Sequence, residues 1–241
     1  MLQAFVKLIA ITVGALIVAV FAVVFVRWLG YQQVFKAPPH PWFEMADWKI
    51  FAPAEDELCS AAQTRKIEFL AGSIGSIPAY RDQTAQKWFI CRGGKLPLAA
   101  FIEKTDHPDW LIRVQAHDTW GLDDLVKDLQ ALEPTRHFAI MSDSQKVGIF
   151  MRKKAPEMLF AADSASLLRF QMFESLWIET AMDFWPDFVV VDFSKNFHLD
   201  ARGATELQRR QKRIIWHKSG LESAAPPPQV GIQGIMSSIP Q

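Results

Sequence analysis

The sequence predicts an α/β protein, a (β/α) barrel preceded by one transmembrane helix. Three observations predict it. The 19 residues from Leu8 to Val26 contain no charged side chain. Beyond them, short apolar runs rich in β-branched and aromatic residues alternate with amphipathic stretches, which is the order of βαβ units built on a parallel sheet. No glycine-rich phosphate fingerprint follows the first predicted strand; Gly72-Ser73-Ile74-Gly75 is the nearest approach. That turns the choice between a doubly wound nucleotide-binding sheet and a barrel toward the barrel.

The apolar run comes first in the chain. At about 1.5 Å per residue, a helix of this length nearly crosses a hydrocarbon layer roughly 30 Å thick, and it satisfies its own backbone hydrogen bonds as lipid requires. Phe5, Val6, Trp28 and Leu29 extend it, so residues 5–29 are expected to meet the bilayer. Lys7 and Arg27 bracket the run, and Trp28 and Tyr31 suit the interface. A cleaved signal peptide has a shorter apolar core and ends on small residues, whereas this run ends in Val23-Val24-Phe25-Val26-Arg27-Trp28. The sequence therefore reads as a single-pass membrane protein. Basic residues flank the helix almost evenly, so the short N-terminal tail sets the expectation of a domain on the non-cytoplasmic side. There, Cys59 and Cys91 have two readings, a disulfide or two separate core thiols, and the second is the simpler.

Composition bounds the partners. The chain has 241 residues with 26 basic and 26 acidic side chains, a balance that argues against nucleic acid. Organisation follows from composition shifts: an anchor over 1–30, a Pro-containing linker over 31–47, a folded domain over 48–221, and a Pro/Ser/Gly-rich tail over 222–241 that is expected to be disordered. Within the domain, strands are expected at Trp48–Ala52, Ile67–Leu70, Trp110–Gln115, His137–Met141, Met158–Ala161, Asp187–Asp192 and Arg213–Trp216. Helices are expected at Glu55–Lys66, Pro97–Lys104, Leu122–Leu132, Ser144–Lys154, Asp163–Thr180 and Ala201–Gln211. The run Phe188-Val189-Val190-Val191 is continuous and β-branched, as in a strand covered on both faces.

The order of these segments resembles the glycerophosphodiester phosphodiesterase family, one of the phospholipase-C-like phosphodiesterase barrels. The likeness rests on Arg136 to Ser144 with Phe150 to Pro156, on Gly93-Gly94-Lys95-Leu96-Pro97-Leu98, and on Arg209 to Trp216. It spans roughly Trp48 to Lys218. The family's final strand has no counterpart before the polar tail, so the resemblance implies a shortened or incomplete barrel of the TIM type. It also implies a phosphoric diester hydrolase site, and there the sequence departs from the pattern. Pro53 and Ala54 stand at the family's first His and Arg. Of its Glu-x-Asp metal pair only Glu68 remains, with Leu70 at the second acid. Arg81 replaces the second His, and Arg113 and Gln115 replace an acid and a lysine on the third strand.

These losses remove both proton carriers and most of the hard oxygen ligands a divalent cation needs. The expectation is a degenerate family member, a pseudoenzyme without cofactor, that binds a phospholipid headgroup or a protein partner. The alternative is a working phosphodiesterase of lipid metabolism with a rearranged site. In it His117 and Asp118, just past the third strand, supply acid–base chemistry, and Glu68 helps hold Ca or Mg. Asp192 and His198 near a later strand end would complete that site. Against it stands the plainer reading of His117 and Asp118 as turn and cap residues.

Overall fold

A computed structural model of the chain describes residues 2–64, 69, 72–92, 96–105, 107–116, 119–132, 136–192, 199–218 and 230–237. Eight parallel strands form a nearly closed barrel with helices outside it. In spatial order they are β6 (Leu159–Phe160), β5 (His137–Met141), β4 (Asp109–Gln115), β2 (Ile74–Asp82), β1 (Trp48–Phe51), β9 (Gly234–Ser237), β8 (Arg213–Lys218) and β7 (Phe188–Val191). The short β3 (Lys87–Phe89) folds back antiparallel on the far end of β2. The seam between β6 and β7 is a single bridge, Ala161 to Phe188. The Asp187 amide donates to the Phe160 carbonyl and the Ala162 amide to that of Phe188, both at 2.8 Å.

Connections between strands run through α2 (Glu55–Thr64), α3 (Leu98–Lys104), α4 (Leu122–Gln130), α5 (Gln145–Lys154), α6 (Ser164–Ser175) and α7 (Ala201–Arg209). The periodicity that predicts α4 is the periodicity that buries it: Leu122, Leu125, Val126 and Leu129 all face the sheet. Asp163 and Asp200 cap α6 and α7 by accepting from the amides of Ser166 and of Arg202 and Gly203.

Four expectations need correction. The second strand is Ile74–Asp82 rather than Ile67–Leu70; Phe69 lies in no strand, and Ile67, Glu68 and Leu70 lie outside the described residues. The helix expected over Asp163–Thr180 ends at Ser175. Its last turn closes by bonds from the Trp177 and Ile178 amides to the carbonyls of Glu174 and Phe173, with Trp177 at φ 61°, a position glycine usually takes. The tail over 222–241 contains β9, which slots between β1 and β8 and supplies the eighth strand. Gly234 permits this, since a Cβ there would lie 2.6 Å from the Trp48 carbonyl oxygen. Finally, Cys59 on α2 and Cys91 after β3 form a disulfide rather than two thiols.

The barrel interior is filled by side chains such as Ile50, Ile74, Leu111, Ala139, Phe188, Ile215 and Met236. Its N-terminal end is plugged by the segment before β1, so 31–47 is more than a linker. A short 3-10 turn, Pro41–Glu44, drives Trp42 fully into the core against Trp48. Both indoles keep their hydrogen bonds: Trp42 donates to Asp109 and Trp48 to the Trp42 carbonyl, each at 2.7 Å.

The helix α1 spans Leu2–Tyr31 and is long and apolar enough to cross a membrane. Its large side chains between Ile9 and Leu29 are mostly exposed. Among the described residues, its C-terminal end makes the contacts with the barrel. Gly30 packs against Thr180, Arg27 reaches the Trp177 carbonyl, and Arg209 of α7 donates to the carbonyls of Gly30 and Gln33.

Candidate functional site

In a barrel of parallel strands every C-terminal strand end points to one face, and loops there can place chemistry without disturbing the core. In this chain a cavity of about 230 Å³ opens on that face. The loop after β1 contributes Pro53 and Ala54, the start of α2 contributes Glu55, β2 contributes Pro78 and Tyr80, β4 contributes Arg113 and Gln115, and β8 contributes His217 and Lys218. A neighbouring cavity of about 390 Å³ shares Tyr80 and Gln115 and adds Arg81, Arg92 and Asp143.

Alternation along β4 dictates which residues reach the cavity. Ile112 and Val114 pack outward against the helices, so Arg113 and Gln115 point to the barrel axis. Burial lowers the Arg113 pKa from its ordinary value, opposed by the nearby Tyr80 and Glu55, yet a guanidinium keeps its charge. Its Nε is buried and has no hydrogen-bond partner among the described residues. Glu55 is already engaged: it accepts from the Tyr80 hydroxyl at 2.6 Å and lies 3.9 Å from Arg92. Burial, then the bond to Glu55, raises the Tyr80 pKa. Opposite, His217 lies 4.0 Å from Asp192 at the end of β7. The mouth thus sets two cations, Arg113 and Lys218, with a His, an amide and a phenol around one pocket. Its single lining carboxylate is tied to Tyr80. Such an arrangement has the charge and hydrogen-bond donors that would complement a small anion with several oxygens.

The positions singled out in the sequence divide into three groups. Pro53, Ala54, Arg113 and Gln115 line the mouth. Arg81 borders the larger cavity; it pairs with Asp124 at 3.0 Å and lies over the rings of Trp88 and Trp120, while its Nε and Nη1 have no hydrogen-bond partner among the described residues. Glu68, Leu70, His117, Asp118 and His198 lie outside the described residues. Sequence reading passed over Tyr80, Glu55, His217 and Lys218. The strand-end rule could have found His217 and Lys218, had β8 been extended two residues beyond Trp216.

Among the described residues that line the mouth, Glu55 is the one carboxylate, and it is tied to Tyr80. Among the described residues no three His, Cys, Asp or Glu side chains converge. A buried guanidinium, Arg113, occupies the strand position where the family resemblance calls for an acid, and its charge opposes a cation there. The sequence matches no protein-family model and no curated protein.

Proposed function

We propose that this chain is a membrane-anchored, phosphodiesterase-like barrel that binds an anionic phosphodiester headgroup at its mouth without hydrolysing it. The observation that carries the reading is Arg113: a buried guanidinium, with a bond-donating Nε unused, facing a cavity that also holds Lys218 and His217. A buried, incompletely bonded cation is costly unless an anion completes it. Pro53 and Ala54 leave the positions of the resembled family's first His and Arg without a proton carrier or a phosphate-binding fork, which supports binding over that family's turnover, although His217 beside Asp192 remains at the mouth.

The anchor is α1, and lipid is the medium that suits its exposed apolar surface. The Cys59–Cys91 disulfide supports a domain on the non-cytoplasmic side, since such bonds persist in oxidising compartments.

The test uses the full chain in detergent micelles. Glycerophosphocholine is titrated calorimetrically, and release of glycerol phosphate is followed with calcium, magnesium or EDTA. Saturable binding that Arg113→Met weakens at least tenfold, without release, is the expected result. Release that EDTA stops would overturn it in favour of a rearranged metal site, and Glu68, His117 and Asp118 would then be substituted singly.

A further inference from the structure

We infer that the outer face of α6 lies in the surface of the same bilayer that α1 enters, so that the barrel rests on its side rather than standing on its anchor. The inference rests on the membrane anchoring proposed above and is independent of the headgroup reading.

Leu168, Met172 and Leu176 follow one another at four-residue steps and form a single exposed stripe, while Ser166, Phe170 and Glu174 bury the opposite face. Trp177 continues the stripe and is 60% exposed. Of the seven large apolar side chains exposed outside α1 among the described residues, these are four, and a fifth, Val34, lies just past α1. A scatter of single exposed apolar residues is ordinary on a protein surface; a stripe on one helix is not.

Continuity with α1 names the occupant. The Trp177 carbonyl accepts from Arg27, and the Arg27 guanidinium lies 5.6 Å from the Trp177 ring. Arg27 is the first charge after the apolar run, so it marks the depth at which α1 leaves hydrocarbon. The stripe therefore begins at the membrane interface. Trp177 is held there at φ 61° with its ring between Arg27 and Arg202, and an indole flanked by cations suits the headgroup layer.

The orientation has a consequence for the mouth. The helix α6 starts at Asp163, just past the C-terminal end of β6, and ends beside α1. Its 12 residues run about 18 Å. Laying α6 on the bilayer turns the β6 edge of the barrel's C-terminal face toward the headgroups, while the strands that line the cavity, β1, β2, β4 and β8, lie farther round the barrel.

The experiment places single spin labels on the full chain in phosphatidylcholine–phosphatidylglycerol vesicles. Both native cysteines are paired, so an introduced thiol reacts alone. Leu168→Cys, Met172→Cys and Leu176→Cys test the stripe, Phe21→Cys reports α1, and Ile149→Cys, exposed on α5, reports solvent. Accessibility to oxygen relative to a water-soluble nickel chelate is expected to be severalfold higher at the stripe than at Ile149, approaching Phe21. A stripe that behaves like Ile149 while Phe21 reports lipid overturns this inference and leaves the anchoring intact. Exclusion of both agents with spin–spin broadening shows a second copy on the face and also overturns it. If Phe21 itself reports water, the anchoring and the inference fall together.

Discussion

Arg27, near the end of the apolar helix, stands 3.6 Å from Glu179, whose side chain is only 1% exposed. Arg202 is the other cation near that carboxylate, at 3.8 Å. Neither Glu179 oxygen has a hydrogen bond among the described residues, so the two guanidinium charges hold it. The apolar helix is therefore part of the electrostatic structure of the barrel.

Removing Arg27 should destabilise the barrel itself. Stranding a buried charge costs roughly 3–5 kcal/mol. With Arg202 still in place, Arg27→Gln is expected to cost about 1–3 kcal/mol in detergent-solubilised full chain. Thermal unfolding of Arg27→Gln, Glu179→Gln and the double variant checks it. Additive losses would refute the coupling.

Glu174 links stability to pH. Burial first, then the hydrogen bond to Asp200 and its negative charge, push the Glu174 pKa up to about 8. The folded state thus binds this proton more tightly than the unfolded state does. Its contribution is fully present below the ordinary value of 4.5 and is lost as pH rises through about 8. Melting temperatures of the wild type should fall between pH 5 and pH 8.5, and Glu174→Gln should flatten that slope. An unchanged slope would count against the assignment.

His40, in the segment that plugs the N-terminal end of the barrel, gives the opposite slope. Burial first, then the neighbouring His137, lowers its pKa to about 4, with Asp109 opposing. The folded state prefers the neutral ring, so its contribution is present above the ordinary value of 6.5 and is lost as pH falls toward 4. The ring accepts from the Trp42 amide at 3.3 Å, a role an asparagine oxygen can take. His40→Asn should remove this acid-side loss while keeping the fold, as read by melting from pH 7 to pH 4.

The disulfide joins α2 to the hairpin beside the mouth across 32 residues. Closing a loop of that length is worth about 3–4 kcal/mol in the chain-entropy account. Paired Cys59→Ser and Cys91→Ser substitution should lower stability to urea by that order. An unaltered midpoint would show that packing alone holds the hairpin.

Arg113→Met should weaken headgroup binding at least tenfold, because a hydrogen bond to a charged group is worth about 1.5–3 kcal/mol. Arg81→Met should leave binding almost unchanged, since Arg81 pairs with Asp124 and borders the neighbouring cavity rather than the one that holds Arg113. Equal losses in both would place the ligand in the larger cavity instead.

How much of this was legible in sequence varies by element. The apolar run, α4, β4, β5 and β7 could be read locally because burial on one face or both leaves a periodic or continuous apolar pattern. The strand β9 has four residues, one a glycine, beside a proline-rich stretch, and carries no such pattern. Its stability comes from ladders to β1 and β8, whose residues lie far away in sequence. The second strand depends on partners in the same way: the ladder to β4 selects the run that begins at Ile74, which local apolarity does not single out over Ile67–Leu70.

By itself, the sequence determined an apolar helix, an α/β order and the absence of titratable groups at Pro53 and Ala54, because each depends on residue type along a local stretch. Tertiary structure alone decided the closure by β9, the pairing of Cys59 with Cys91, the grouping of Arg113 with His217 and Lys218, and the seating of Arg27 on Glu179. These are meetings of residues distant in the chain, and a strand pattern fixes which face a side chain takes without fixing which strand lies opposite.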